Sequence, residues 1–181
     1  MYSKAVTSCN RQRKYRGNLN MNDFDKAYKQ QLEEVWRKVG FIVNLSQIIE
    51  YNLANILAFN EILREFDNKD SMYLLEYNTF AVKANDLYDQ LSKHTFGYGL
   101  KHAKEIKFFT DDSLERLQKL CKERNFVVHH LFKDDLKQKH LETDPNFYFE
   151  RLEHLINDMY SANEELTKIF KQQKDQFQLI W

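Results

Sequence analysis

Proline occurs once and glycine four times in 181 residues. With so little turn chemistry the chain is expected to be helical. There are two cysteines, Cys9 and Cys121. They are too few for a Cys-rich zinc site or a disulfide framework, and such usage fits a reducing cytoplasm. No apolar run approaches the roughly 18 residues that a bilayer span needs. The first stretch also lacks the apolar block of a signal peptide, so a soluble cytoplasmic protein with no membrane role is expected. Charge of either sign is not in excess either, with 27 basic and 27 acidic groups giving a formal net charge of zero. That balance argues against a globally basic, DNA-coating surface.

What is present is unevenly placed. Residues 1–20 hold Lys4, Arg11, Arg13, Lys14 and Arg16 and no acid, a local charge of +5 that leaves −5 on the rest of the chain. This segment has no apolar periodicity and is expected to be a disordered basic arm ahead of Met21. Its functional reading is an arm that adds phosphate attraction to an RNA site. Residues 21–181 are of a length that suits one domain with a sizeable core.

From Asn22 to about Phe66 the pattern is helical. Ile42, Leu45, Ile49, Leu53, Ile56, Phe59, Leu63 and Phe66 recur at steps of three and four, which draws a stripe down one helix face. Gly40 is expected to bend this segment or divide it. Ser46 and Glu50 lie one turn apart at the stripe, and a carboxylate that close to a core must pair or reach solvent. A second helix is predicted from about Ser71 to Ser92, with Leu74, Leu75, Phe80, Val82, Leu87, Tyr88 and Leu91 inward. His94–Gly99 holds two glycines in three residues and is expected to be a loop, followed by a short helix near residues 100–107. Its Gly-x-Gly is no phosphate loop, since the third glycine and a preceding strand are missing.

Thr110-Asp111-Asp112-Ser113 offers N-cap chemistry for the next helix. Leu114, Leu117, Cys121, Val128 and Leu131 form its seam, and the step of seven leaves its missing member at Arg124. An arginine on a buried seam must find an anion or a partner. Residues 133–143 are charged and read as a loop or frayed end. Asp144-Pro145 then starts the last helix. Its seam of Tyr148, Leu152, Leu155, Met159, Ala162, Leu166 and Ile169 suits antiparallel bundle packing within the domain, or a helix partner. Phe177, Leu179, Ile180 and Trp181 make a small apolar patch that is a candidate dimer contact. The expected architecture is an all-α, single-domain bundle of about four to five helices.

The stretch Lys122–Phe132 gathers a guanidinium, a carboxamide and two imidazoles within an apolar segment. RNA can be cut without a metal when its 2′-hydroxyl attacks the adjacent phosphorus, which requires a proton taken there and one given to the leaving 5′-oxygen. Histidine serves either role near neutral pH, and arginine offers a charged fork of donors to the phosphate. Asn125 and His129 are one turn apart on one helix face. Arg124 and His129 are about 140° apart around a regular helix, so they do not converge unless the helix ends there. The alternative is that two copies each complete the other's site. A metal site from His129, His130, Asp134 and Asp135 is poor, because adjacent histidines point different ways.

Arg124-Asn-Phe-Val-Val-His129 resembles the signature of the HEPN superfamily, in which an Arg and a polar residue precede a His by four to six positions. The resemblance implies a small helical bundle that dimerises with both motifs in one cleft. It also implies metal-independent, cofactor-free RNA cleavage, commonly in toxin–antitoxin or anti-phage systems with an antitoxin or regulatory partner. Carried over, Arg124 holds the phosphate, His129 acts as acid or base, Asn125 supports, and His130 is the alternative imidazole. Glu50 resembles the polar residue that some members place near the motif. Members controlled by nucleotide transfer to a tyrosine carry it two residues after the His; Leu131 stands there, which puts that control in doubt. The competing reading is a non-catalytic interaction or nucleic-acid-binding module in which Arg124 pairs with a carboxylate such as Glu50 and the histidines end a helix.

Overall fold

The computed structural model describes residues 21–67, 77–93, 95–133 and 145–180, with side chains over 26–64, 82–93, 95–133 and 147–175. The expected basic arm, Leu74, Leu75, Asp134, Asp135, Asp144 and Trp181 lie outside these residues, as do the side chains of Phe66, Phe80, Phe177, Leu179 and Ile180. Among the described residues there are five helices: α1 (Met21–Asp67), α2 (Tyr77–Ser92), α3 (Phe96–Glu105), α4 (Asp111–His129) and α5 (Pro145–Ile180). None is long and apolar enough to cross a membrane.

The long stripe read on α1 is the spine of the core. Ile42, Leu45, Ile49, Leu53 and Ile56 are buried, and Phe59 and Leu63 are half-buried. The α5 seam packs against it, with Tyr148, Leu152, Leu155, Met159, Ala162 and Leu166 buried. α1 and α5 make the most extensive packing in the fold. They run parallel, because Lys38 pairs with Glu153, Asn52 Nδ2 donates to Asn163 Oδ1 at 2.7 Å, and Gln173 Nε2 donates to the Ile56 carbonyl at 3.1 Å. Antiparallel packing holds instead between α5 and α4, where Arg116 bonds Glu165 and Glu123 bonds Arg151. The Asn52–Asn163 bond, with Thr167 Oγ1 a second acceptor for Asn52 at 3.3 Å, fixes the register of the parallel pair, since sliding either helix would leave the buried Asn52 amide without its partners.

Four local expectations change. Gly40 neither bends nor divides α1, which runs unbroken from Met21 to Asp67. The glycine lies on the exposed face, where an added Cβ would meet nothing within 4 Å, while Val35 and Ile42 on either side are anchored in the core. The stretch expected as a loop is the first turn of α3. Thr95, extended at φ −74° and ψ 163°, is the N-cap, and its carbonyl accepts from the N–H groups of Tyr98 and Gly99 at 2.9 and 3.1 Å. Gly99 serves close approach, because a Cβ there would sit 2.8 Å from Leu53 Cδ2. On α4 the buried valine is Val127, with Val128 half-buried, and on α2 Val82 is 59% exposed rather than inward. Leu87, Tyr88 and Leu91 are half-buried as expected of a helix at the edge of the bundle.

The two glycines therefore respond oppositely to alanine. Gly40→Ala should raise stability by about 0.5–1 kcal/mol through helix propensity. Gly99→Ala should lower it by about 1–3 kcal/mol through overpacking against Leu53. Denaturant unfolding of the two variants against the parent checks both signs.

Candidate functional site

α4 is positioned at both ends. Thr110 caps its start, with Oγ1 accepting the Ser113 N–H at 3.3 Å and with Asp111 and Asp112 in the first turn, where carboxylates meet the positive end of the helix. At the other end the Phe126 carbonyl accepts the N–H groups of both His130 and Leu131, at 2.9 and 3.1 Å. Buried Leu131 anchors the exit. His129 is thus the last helical residue and His130 the C-cap, and both imidazoles are exposed.

Arg124 occupies the seam position expected from its register, and the seam supplies it with partners. Nε donates to Ser46 Oγ at 3.2 Å, and Nη1 donates to Asn125 Oδ1 at 3.0 Å. Nη2 lies 3.6 Å from Glu50 Oε1, an ion pair rather than a hydrogen bond. Ser46 can accept because its own hydroxyl proton goes to the Val43 carbonyl at 2.8 Å. Glu50 Oε1 also accepts the Phe96 N–H, the first amide of α3, at 3.1 Å. One carboxylate therefore joins α1, α3 and α4. The Arg124 side chain retains 17% of its exposure, and the second Nη1 hydrogen and both Nη2 hydrogens have no hydrogen-bond acceptor among the described residues. An arginine has five donor hydrogens in a planar fork, and the Glu50 carboxylate balances the charge of those on Nη2.

Beneath the guanidinium lies Cys121, to whose Sγ Asn125 Nδ2 points at 3.8 Å. Burial pushes its thiol above the ordinary range, with the Arg124 charge opposing and the Glu50 charge adding to the shift.

Of the five candidate residues, Arg124, Asn125 and Glu50 come together. His129 makes no bond to them. Arg124 bonds Asn125, which stands one turn before His129 with about 40° between them around the helix. His130, beyond the helical register, takes no part in the cluster. Two contributors were not among the candidates. Ser46 was visible as a polar residue in the stripe, one turn from Glu50. The Phe96 amide was hidden, because Thr95-Phe96-Gly97 reads locally as a break. Among the described residues no three His, Cys, Asp or Glu side chains gather as a metal-ligand set. No family model, no curated protein and no solved structure matches this chain.

Two measurements test this geometry. Glu50→Ala should cost about 1–3 kcal/mol, chiefly by leaving the Phe96 N–H without an acceptor, and Glu50→Gln should cost clearly less, because its amide oxygen still accepts from Phe96. In a Cys9→Ser background, Cys121 should react with a thiol reagent at mildly alkaline pH only on unfolding, since a buried thiol of raised pKa supplies little thiolate. Fast labelling of the folded protein would contradict the burial.

Proposed function

We propose that this chain is a metal-independent endoribonuclease of HEPN type, with Arg124 and His129 as its working pair and a second copy completing the site. The observation that carries the proposal is the guanidinium of Arg124, held by Ser46, Asn125 and the Glu50 carboxylate yet still partly open to solvent, with exposed His129 one turn beyond Asn125 on the same helix. A preorganised charged donor of this kind stabilises the charge that builds on phosphorus.

In the proposed reaction one imidazole takes the proton of the 2′-hydroxyl as its oxygen bonds to phosphorus. The bond from phosphorus to the 5′-oxygen breaks, and a second imidazole, protonated, gives that oxygen its proton. The products are a 2′,3′-cyclic phosphate and a 5′-hydroxyl. Two imidazoles are needed, and His130 diverges from His129, so the second comes from His129 of another copy. Trp36 and Phe132 are exposed toward the end of the bundle that carries the histidines, which supports contact between copies there. The biological setting suggested by the resemblance is an effector of a toxin–antitoxin or anti-phage system, restrained by a partner protein.

A second reading has its own observation. Glu50 binds Arg124 and the α3 amide together, which is what a structural pin would do in a silent interaction module. The two readings separate experimentally. With total RNA in EDTA, the parent should cleave and leave cyclic-phosphate ends, and His129→Ala should lose about 10²–10⁴-fold in rate without loss of stability. Arg124→Ala that unfolds, with His129→Ala fully active or the parent inert, would decide for the pin.

A further inference from the structure

We infer that the cavity between α4 and α5 binds a free α-amino acid with an aliphatic side chain. Its carboxylate meets Lys119, its ammonium meets Asp158, and its side chain lies on Leu120 and Leu155. The cavity is on the α5 side of α4, whereas Arg124 makes its contacts with Ser46 and Glu50 of α1. Its occupancy is therefore independent of the ribonuclease reading.

The antiparallel register of α4 and α5 places these groups opposite one another. Arg116 Nη2 donates to Ser161 Oγ at 2.9 Å. Three residues on from Arg116 along α4 is Lys119, and three residues back from Ser161 along α5 is Asp158. With equal rise on both helices, the two stand level across the seam. To one side of them Arg116 Nη1 donates to Glu165 at 2.9 Å, and to the other Arg151 donates to Glu123 at 2.7 Å. The rung between is open. Lys119 and Asp158 are exposed, and neither has an ion-pair partner among the described residues. At this level lies a cavity of about 360 Å³. Lys119 lines it from α4, and His154 and Asp158, one turn apart, line it from α5. Leu120 and Leu155 line it as well, and at 4% and 5% exposure they form an apolar floor.

Charge decides what fits. What selects Lys119 is the cavity and the unpaired carboxylate level with it, not the want of a partner alone. A simple anion would answer Lys119 but stand beside Asp158 and Glu123, which also lines the cavity. A simple cation would answer Asp158 but stand beside Lys119 and Arg116. A molecule that carries both signs answers both walls, with a charge-assisted hydrogen bond at each. Among the described residues His154, Asp158 and Glu123 do not gather as a metal-ligand set, which leaves an ammonium as the cation for Asp158. The apolar floor favours an aliphatic stem, whose burial there removes it from water. The volume is near the lower end of the about 300–1,000 Å³ usual for ligand sites, which suits one small molecule rather than a polymer.

Isothermal titration of the full chain with L-leucine tests the site. Three probes are titrated beside it: isocaproate, which lacks the ammonium; isoamylamine, which lacks the carboxylate; and glycine, which lacks the stem. Leucine should bind saturably, and each of the other three should bind at least about tenfold more weakly, for want of one charged hydrogen bond or of the buried chain. Lys119→Gln and Asp158→Asn should each weaken leucine by about tenfold or more. Both change exposed side chains that hold nothing else in the fold, so thermal unfolding without ligand should match the parent. Lys168→Gln on α5 should leave leucine binding unchanged. No saturable binding of leucine by the parent at millimolar concentration would overturn the site. So would glycine or either analogue binding as tightly as leucine, or parental affinity in Lys119→Gln or Asp158→Asn.

Discussion

The Glu50 carboxylate is the contact on which the arrangement of α1, α3 and α4 turns. At 3.6 Å and with both side chains partly open to water, its attraction for Arg124 is on the order of 1 kcal/mol or less. Its larger effect is to prevent a cost. The Phe96 amide is the first donor of α3 and belongs to a residue that is only 2% exposed. Without an acceptor it would lose about 1–3 kcal/mol. A single oxygen answers that amide and faces the guanidinium, so the start of α3 and the tip of Arg124 cannot move independently. Gly99 adds to the constraint, since a Cβ there would press on Leu53 and force that side chain or α3 to shift.

Charge is partitioned around this junction. A chain with zero net charge has no global attraction for nucleic acid. Pairing is local instead: Glu153, Glu165 and Glu123 each take a basic partner, Lys38, Arg116 and Arg151. Composition could not foresee this, because pairing is a property of which helix lies beside which, and the α1–α5 contact is set by the Asn52–Asn163 amide pair far along the sequence.

Long periodic segments were legible in the sequence, and short irregular ones were not. The α1 stripe and the α5 seam follow the expected spacing because each packs a continuous face against the core. Arg124 was legible for the same reason, as a polar residue in a position that the period reserves for burial. The choice of Val128 over Val127 failed because α4 packs against three partners, α1, α3 and α5, and near its end both adjacent positions fit an apolar pattern. The start of α3 failed because glycine was read as a breaker. Its cause lies elsewhere, in the distance between two helix backbones, which no local window contains. Gly40 shows the converse. An exposed glycine weakens a helix by a few tenths to one kcal/mol, too little to interrupt one held by Val35 and Ile42 on either side.

The angle between Arg124 and His129 decides how much a second copy has to supply. If both side chains projected radially, about 140° would separate them, and one chain would offer a phosphate clamp and an imidazole on different surfaces. Nη1 bonds Asn125 Oδ1 while Nε and Nη2 face Ser46 and Glu50 of α1, so the guanidinium is tied both to the α1 seam and to the residue one turn before His129. On the ribonuclease reading a single chain carries a clamp and one proton-transfer group. Cleavage by 2′-hydroxyl attack needs two such groups on opposite sides of phosphorus, and His130 is turned away by its place at the cap. On the ribonuclease reading, dimerisation is therefore required for the second imidazole rather than for the arginine. A mixed dimer of one His129→Ala chain and one Arg124→Ala chain would accordingly keep one complete clamp but never two imidazoles, and it should remain inactive.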